Sequence, residues 1–141
     1  MPALSWSDAI TCFHNHVQQN KFIKVLTGYR FVMHEHSLMP SLQPLVNYVS
    51  KLNPSIKCDA HLYMTLAVTN NEFGNHCDTA DVIFWQALGS TSWRVDDGGF
   101  HDYVLNQGDC IYVPKEMFHD VKSLTPRVGV SIGLEYDSRK Y

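Results

Sequence analysis

The stretch Gly108-Asp109-Cys110-Ile111-Tyr112-Val113-Pro114, followed by His119, contains the pattern that decides the fold. Its glycine and aspartate are turn residues, residues 110–113 favour a short strand, and the proline ends that strand. Together these signals set the point at which the chain enters its next strand, and His119 stands just before that point. The stretch therefore predicts a short strand whose outgoing connection delivers a histidine.

The sequence around this stretch alternates with a period of two from residue 58 onward, as half-buried strands do. Turn signals at 70–71, 96–99 and 106–109 separate the alternating segments. Many short strands at regular spacing indicate an antiparallel sandwich or barrel, and a double-stranded β-helix, or jelly roll, is one solution. We therefore predict a mainly β fold with strands at 60–68, 81–87, 92–95, 102–105, 110–113, 120–123 and 127–135.

The first 57 residues have a different pattern. Ser5 can cap a helix whose apolar residues recur at helical spacing, and a second helix should open at Pro40–Ser41 and end at Asn53-Pro54. A short strand is expected at 29–33 between them. We expect one domain over residues 1–141, in which a mainly helical part, 1–57, packs its two helices outside one sheet of the jelly-roll core, 58–141.

Composition excludes several functional classes. The 141 residues are 45% hydrophobic and 18% charged, with a formal net charge of −3 and no basic cluster that would grip nucleic acid. No signal peptide or membrane-length apolar segment is visible. The four cysteines form no CxxC pair and are typical of reduced thiols in a cytoplasmic protein. The expected partner is a protein or small-molecule substrate, and a homodimer stays open because exposed sheet edges can pair.

A candidate metal site lies upstream of the opening stretch. His76 and Asp78 are two residues apart, so on extended backbone they point to the same side while Cys77 turns away. His119, 43 positions after His76, supplies a third ligand from a distant strand. Two imidazoles and one carboxylate on one face leave adjacent coordination positions open, as in non-haem iron(II) oxygenases. We predict that His76, Asp78 and His119 are both the metal ligands and the catalytic centre.

The spacing of these motifs matches the cupin superfamily, and the match sharpens to one branch of it. The chain resembles JmjC-type 2-oxoglutarate oxygenases, especially the ribosomal oxygenases, over about residues 60–135. The resemblance implies a jelly roll that binds iron(II) and 2-oxoglutarate and usually hydroxylates an unactivated C–H bond. Glu116 replaces the glycine inside the second cupin motif, and Val82 replaces the glutamate of the first. The residues that carry the resemblance are Tyr63-Met64-Thr65, His76, Asp78, Asp81-Val82, Gln86, Gly89, Trp93, Val95, Gly108-Asp109, Ile111–Pro114 and His119.

One departure concerns the co-substrate. The resembling family usually has a lysine or arginine at the position of Thr91, where it pairs with the far carboxylate of 2-oxoglutarate. A dicarboxylate in a dry pocket needs a cation, and Arg127 at the start of the last strand is the best substitute. Arg94 is a weaker candidate, since alternation would turn either it or Trp93 outward.

The last strand supports Arg127 by its alternation. Arg127, Gly129, Ser131 and Gly133 share one face, which would leave space for a ligand beside the guanidinium. The alternative is a solvent-facing arginine on a face that accepts a helix. Tyr63 resembles the family tyrosine that hydrogen-bonds the co-substrate, although a core or rim tyrosine is equally consistent. The expected co-substrate contacts are therefore Arg127, Tyr63, Ser131 and the family position now occupied by Thr91.

The predicted function is that of an iron(II)- and 2-oxoglutarate-dependent dioxygenase, a hydroxylase of a protein side chain or a small molecule. One rival is a cupin dioxygenase that uses iron without 2-oxoglutarate, which the uncharged Thr91 favours. Another is a cupin module that binds a metal or a sugar without catalysis. The substrate itself does not follow from the sequence.

Overall fold

A computed structural model describes residues 4–20, 30–33, 42–66 and 74–136. The chain forms two helices and eight strands in these parts. The helices are α1 (Trp6–Asn20) and α2 (Gln43–Leu52). The strands are β1 (Arg30–Met33), β2 (Ile56–Thr65), β3 (Asp81–Leu88), β4 (Thr91–Asp96), β5 (Phe100–Leu105), β6 (Cys110–Val113), β7 (His119–Ser123) and β8 (Arg127–Tyr136).

The strands form two antiparallel sheets, one of order β1-β2-β8-β3-β6 and one of order β5-β4-β7. A single bridge between His76 and His119 extends the smaller sheet beyond β7. The predicted mainly β jelly roll is confirmed. The predicted strand 60–68 starts earlier than expected, at Ile56, and ends at Thr65, while its last two residues lie outside the described ranges.

The two helices cover the outer face of the larger sheet, as predicted. The Ser5 hydroxyl accepts from Asp8 N at 3.1 Å while Ser5 N donates to Asp8 Oδ2 at 3.1 Å, a reciprocal cap that starts α1. Ala9 and Cys12 of α1 join Leu42, at the start of α2, in one core cluster with the outward side chains of β8. The expected opening of α2 at Pro40–Ser41 lies outside the described residues.

A second apolar cluster lies between the two sheets and contains Val82, Phe84, Trp93, Leu105 and Val113. Strand β8 therefore faces both clusters. Its even-numbered residues join the outer cluster, and its odd-numbered residues face the interior of the roll. This division places Arg127 inside the roll.

Gly89 fixes the connection that leads into the smaller sheet. Its φ is +72°, and an added Cβ would lie 2.1 Å from the carbonyl oxygen of Pro126, so a side chain cannot fit. The β3–β4 turn is thereby pressed against the segment that precedes Arg127. Neither helix of the described part of the chain is long and apolar enough to cross a membrane.

Candidate metal centre and active site

The structure brings the three predicted ligands together at one end of the roll. Ligand atoms of His76, Asp78 and His119 all lie within 4.8 Å of one another. The backbones of the two histidines exchange hydrogen bonds, from His76 N to His119 O at 2.9 Å and from His119 N to His76 O at 2.8 Å. Cys77, between two of the ligands, is exposed. One bridge thus aligns two histidines that are far apart in the sequence.

Hydrogen bonds to backbone carbonyls orient both imidazole rings. The Nδ1 atom of His76 lies 2.9 Å from Gly74 O, and that of His119 lies 3.0 Å from Met117 O. A carbonyl oxygen can only accept, so each Nδ1 carries the proton and each Nε2 has a lone pair for a metal. Nε2 of His119 points at the Asp78 carboxylate, 3.4 Å from Oδ2.

The environment of His119 favours its neutral form. The side chain is almost fully buried, and this desolvation lowers its pKa, while the Met117 carbonyl and the Asp78 carboxylate oppose the shift. Metals bind the neutral ring, so a lowered pKa keeps the ligand ready near neutral pH.

The turn between β6 and β7 supports two of the ligands. Glu116 N donates to Asp78 O at 2.8 Å, and Met117 O is the acceptor for His119. Lys115 N in turn donates to Asp81 Oδ1 at 2.8 Å. Glu116 has a φ of +65°, so the turn keeps the left-handed conformation that a glycine would adopt at this motif position.

Arg127 lies inside the cavity that leads from the metal site. It is 1% exposed, and its Nε donates to Ser123 Oγ at 3.2 Å. The guanidinium carbon is 5.9 Å from the ring centroids of both Tyr63 and Phe84, within cation–π range. The alternative of a solvent-facing arginine is excluded, and the helices lie against the opposite face of β8.

The cavity has a volume of about 50 Å³. A water molecule needs roughly 10–15 Å³ on this measure, so the cavity is small. Gly129 leaves less space than its size suggests, because the Phe84 ring fills the position where its Cβ would be, at 2.1 Å. The residues that line the cavity are Tyr63, His76, Asp78, Val82, Phe84, Trp93, His119, Val121, Arg127 and Ser131.

Thr91 does not line this cavity. It is fully buried, and its hydroxyl donates to Gln86 Oε1 at 2.7 Å and accepts from Trp93 Nε1 at 3.1 Å. Its neighbour across the strand pair is Ser123, the acceptor for Arg127. Thr91 therefore lies beside Ser123, the residue that bonds Arg127. Its own hydroxyl is bonded to Gln86 and Trp93.

Arg94 points outward, as alternation with Trp93 predicts. It is exposed and forms two bonds of 2.8 and 3.1 Å with Asp102, whose hydrogen bonds raise the pKa of Arg94 and lower that of Asp102. It makes no contribution to the cavity lining. Of these two arginines, Arg127 is the one that lines the cavity.

Ser123 and Phe84 also belong to this site, and neither was predicted from the sequence. Ser123 holds Arg127, and Phe84 packs under the guanidinium and beside Gly129. Their strands were predicted, but only the pairing between distant strands shows which side chains meet. No local motif marks either residue.

A second, larger cavity of about 250 Å³ continues from the metal site along the inner faces of β2 and β8. It shares Tyr63, Asp78, Val82 and Ser131 with the first cavity and has a more polar lining. The remaining lining residues are His61, Thr79, Ala80, Gly133 and Glu135.

This site fits the group that the donor set implies. Two imidazoles and one carboxylate lie together, a donor set that suits an octahedral divalent ion with open positions better than closed tetrahedral zinc. The buried guanidinium in the same cavity is always charged and suits an anion beside that ion.

Comparisons with known proteins give one family match and several structures of similar fold. A family model described as a JmjC domain matches residues 98–140. No curated protein matches the chain. A structure of YcfD, a ribosomal oxygenase from Escherichia coli, superimposes with a TM-score of 0.69 at 21% identity, covering 84% of this chain and 35% of that one.

Two further structures are similar. YcfD in complex with cobalt and 2-oxoglutarate has a TM-score of 0.61 at 23% identity, with 72% of this chain and 30% of that chain covered. A cupin superfamily protein from Desulfitobacterium hafniense has a TM-score of 0.55 at 13% identity, with 79% and 83% covered. The chain thus spans about a third of the ribosomal oxygenase, and the predicted resemblance in fold and in the JmjC match is confirmed.

Proposed function

We propose that this chain, a cupin that resembles the JmjC ribosomal oxygenases, is an iron(II)- and 2-oxoglutarate-dependent oxygenase. The observation that carries the proposal is a triad of His76, Asp78 and His119 that shares one cavity with the buried guanidinium of Arg127. The reaction that we propose is hydroxylation of a second substrate.

Iron(II), when bound, would supply the site at which dioxygen is activated. The chain holds its two histidines with Nδ1 protonated and Nε2 directed inward, through the carbonyls of Gly74 and Met117. Glu116 N holds the backbone of Asp78. These bonds fix three ligands on one side, so that the opposite side stays available to co-substrate and substrate.

Arg127 would neutralise the far carboxylate of 2-oxoglutarate. Burying a carboxylate without a cation is costly, and the buried guanidinium offers charge-assisted bonds. The hydroxyls of Tyr63 and Ser131 line the same cavity and can add neutral hydrogen bonds. In this proposal the anchoring cation comes from β8, and Thr91 on β4 acts on the site without touching the co-substrate.

The substrate would approach through the larger cavity over β2 and β8. That cavity opens beside Asp78 and extends to Glu135, with Ser131 and Gly133 as a floor of small residues. A polar side chain of a protein, or a small polar molecule, can reach the metal along it. The smaller cavity is lined by the apolar side chains of Val82, Phe84 and Trp93, which would exclude water from it.

We further propose that residues 1–141 form one domain with cytoplasmic location. The outer cluster joins α1 and α2 to β2, β3 and β8, so the helices share a core with the roll. The cysteines of the described part of the chain form no disulfide, as is usual for cytoplasmic proteins.

The test measures 2-oxoglutarate turnover to succinate by the iron(II)-loaded protein, with Arg127→Met, Arg127→Lys and Arg94→Met beside the wild type. Arg127→Met should raise the KM for 2-oxoglutarate by about 100-fold, because a buried charge partner is lost. Arg127→Lys should recover part of the loss, since it keeps the charge without the planar fork. Arg94→Met removes an exposed arginine from the neighbouring face and should change nothing.

Two results would contradict the proposal in different ways. Turnover that survives Arg127→Met keeps the oxygenase and rejects this anchor. A wild-type protein that shows neither turnover nor a visible charge-transfer band with anaerobic iron(II) and 2-oxoglutarate rejects the co-substrate. The chain would then be a cupin dioxygenase that does not use 2-oxoglutarate, or a binding module.

A further inference from the structure

Trp93 is packed directly against a candidate metal ligand. Its ring stacks on the imidazole of His119, with centroids 5.5 Å apart and planes 21° from parallel. Phe84 contacts the same indole at 4.9 Å and 58°. The indole is 3% exposed, so its plane limits how the His119 ring can rotate.

A chain of hydrogen bonds fixes the indole in turn. Trp93 Nε1 donates to Thr91 Oγ1 at 3.1 Å, Thr91 Oγ1 donates to Gln86 Oε1 at 2.7 Å, and Gln86 Nε2 donates to Leu88 O at 2.9 Å. The three bonds run in the same direction, and the chain ends on the carbonyl oxygen of Leu88, which can only accept. Gln86 and Thr91 are fully buried, so water cannot replace these partners.

We propose that Thr91 is a positioning residue for the metal ligand His119, acting through Trp93. This inference rests on the proposed metal centre. The Met117 carbonyl fixes the edge of the His119 ring, and the Trp93 indole fixes its plane. Thr91 sets the orientation of that indole.

The hydroxyl is the group that this position requires. It accepts from the indole and donates to Gln86 with the same oxygen, whereas a lysine ammonium has no lone pair to accept with. A cation at position 91 would therefore leave the indole N–H without its acceptor. Placing the cation on β8, at Arg127, leaves position 91 available for the hydroxyl.

The test measures cobalt(II) affinity by calorimetry in the absence of 2-oxoglutarate, for wild type, Thr91→Val, Thr91→Ser and Thr65→Val. Hydrogen exchange of the Trp93 indole N–H, followed by NMR and assigned by its loss in Trp93→Phe, is the second readout. Thr91→Val should weaken cobalt binding about tenfold, which is the low end of the range for loss of a group that orients a metal ligand. The same substitution should speed exchange of the indole N–H. Thr91→Ser should stay within about twofold of the wild type because it keeps the hydroxyl.

Thr65→Val is the matched control. Thr65 is also fully buried inside the roll, and its Oγ1 makes no hydrogen bond, so the same substitution removes a hydroxyl without breaking a bond. Cobalt affinity and indole exchange should both match the wild type. A general effect of a buried threonine-to-valine change would appear here as well.

Trp93→Phe and the double variant Thr91→Val/Trp93→Phe complete a cycle. Trp93→Phe keeps an aromatic ring but lacks the N–H, so it should weaken cobalt binding by itself, and adding Thr91→Val should weaken it no further. This arm decides the question if Thr91→Val alone does not fold.

Wild-type affinity in Thr91→Val with faster indole exchange would overturn the inference, as would additive losses in the cycle or unchanged affinity in Trp93→Phe. All three of these outcomes presuppose a wild-type protein that binds cobalt. A wild type that binds no cobalt would overturn the metal centre and this inference together, so the two failures are told apart by the wild-type titration.

Discussion

The outer core and the interior of the roll share strand β8 but differ in chemistry. The outer core, between the helices and the larger sheet, is built from apolar side chains. The interior contains the buried polar side chains of the described residues, namely Thr65, Gln86, Thr91, His119, Ser123 and Arg127. Because buried polar groups are costly unless they are paired, the interior combines apolar packing with hydrogen bonds, whereas the outer core depends on packing.

Two neighbouring residues of β8, one facing each region, should show the largest difference between the outer core and the interior. Ile132 is 2% exposed in the outer core, and Ser131 lines the cavity. Ile132→Ala should lower the free energy of unfolding by about 2–5 kcal/mol through lost burial and a cavity. Urea denaturation measures this, and the folded fraction should keep its KM for 2-oxoglutarate.

Ser131→Ala should do the reverse. Its free energy of unfolding should stay within about 1 kcal/mol of the wild-type value. Its binding of 2-oxoglutarate should weaken by roughly 2- to 10-fold, the range for one neutral hydrogen bond. If Ile132→Ala raised the KM as much as Ser131→Ala did, the two faces would not be separable in this way.

The β6–β7 turn, which supports the interior site from outside, carries backbone strain at Glu116. Its φ of +65° is costly for a residue with a Cβ, and Glu116 is exposed, so its side chain adds little packing. Glu116→Gly should raise the free energy of unfolding by about 1 kcal/mol, after allowing for the greater freedom of glycine in the unfolded chain. Thermal unfolding measures the gain, and Glu116→Ala, which keeps the Cβ, should show none of it.

The smallest expected effect is the pH response of the outer core. Burial raises the pKa of the Cys12 thiol from 9.0 to about 11. The folded state disfavours the Cys12 thiolate. The contribution of the protonated thiol to the free energy of unfolding is therefore fully present below pH 9 and is lost as pH rises toward 11. Up to pH 9.5 the loss should stay under about 1 kcal/mol. Chemical denaturation at several pH values tests this, and Cys12→Ala should reduce the slope.

Local patterns were enough for most of the elements. Period-two alternation located the strands from β2 to β8, the Ser5 cap located α1, and the turn residue Gly108 marked a connection with positive φ. Where boundaries moved, as at Ile56, strand pairing with β8 extended the element beyond its own pattern.

The sequence by itself determined the fold class and the two faces of β8, and it predicted that His76, Asp78 and His119 form one cluster, because each depends on spacing along one strand or on a motif of fixed intervals. Tertiary structure alone decided that Ser123 holds Arg127, that Phe84 fills the space beside Gly129, and that Thr91 serves Trp93. Those contacts join residues from different strands, and only the register between strands and the packing of the two sheets determine which side chains meet.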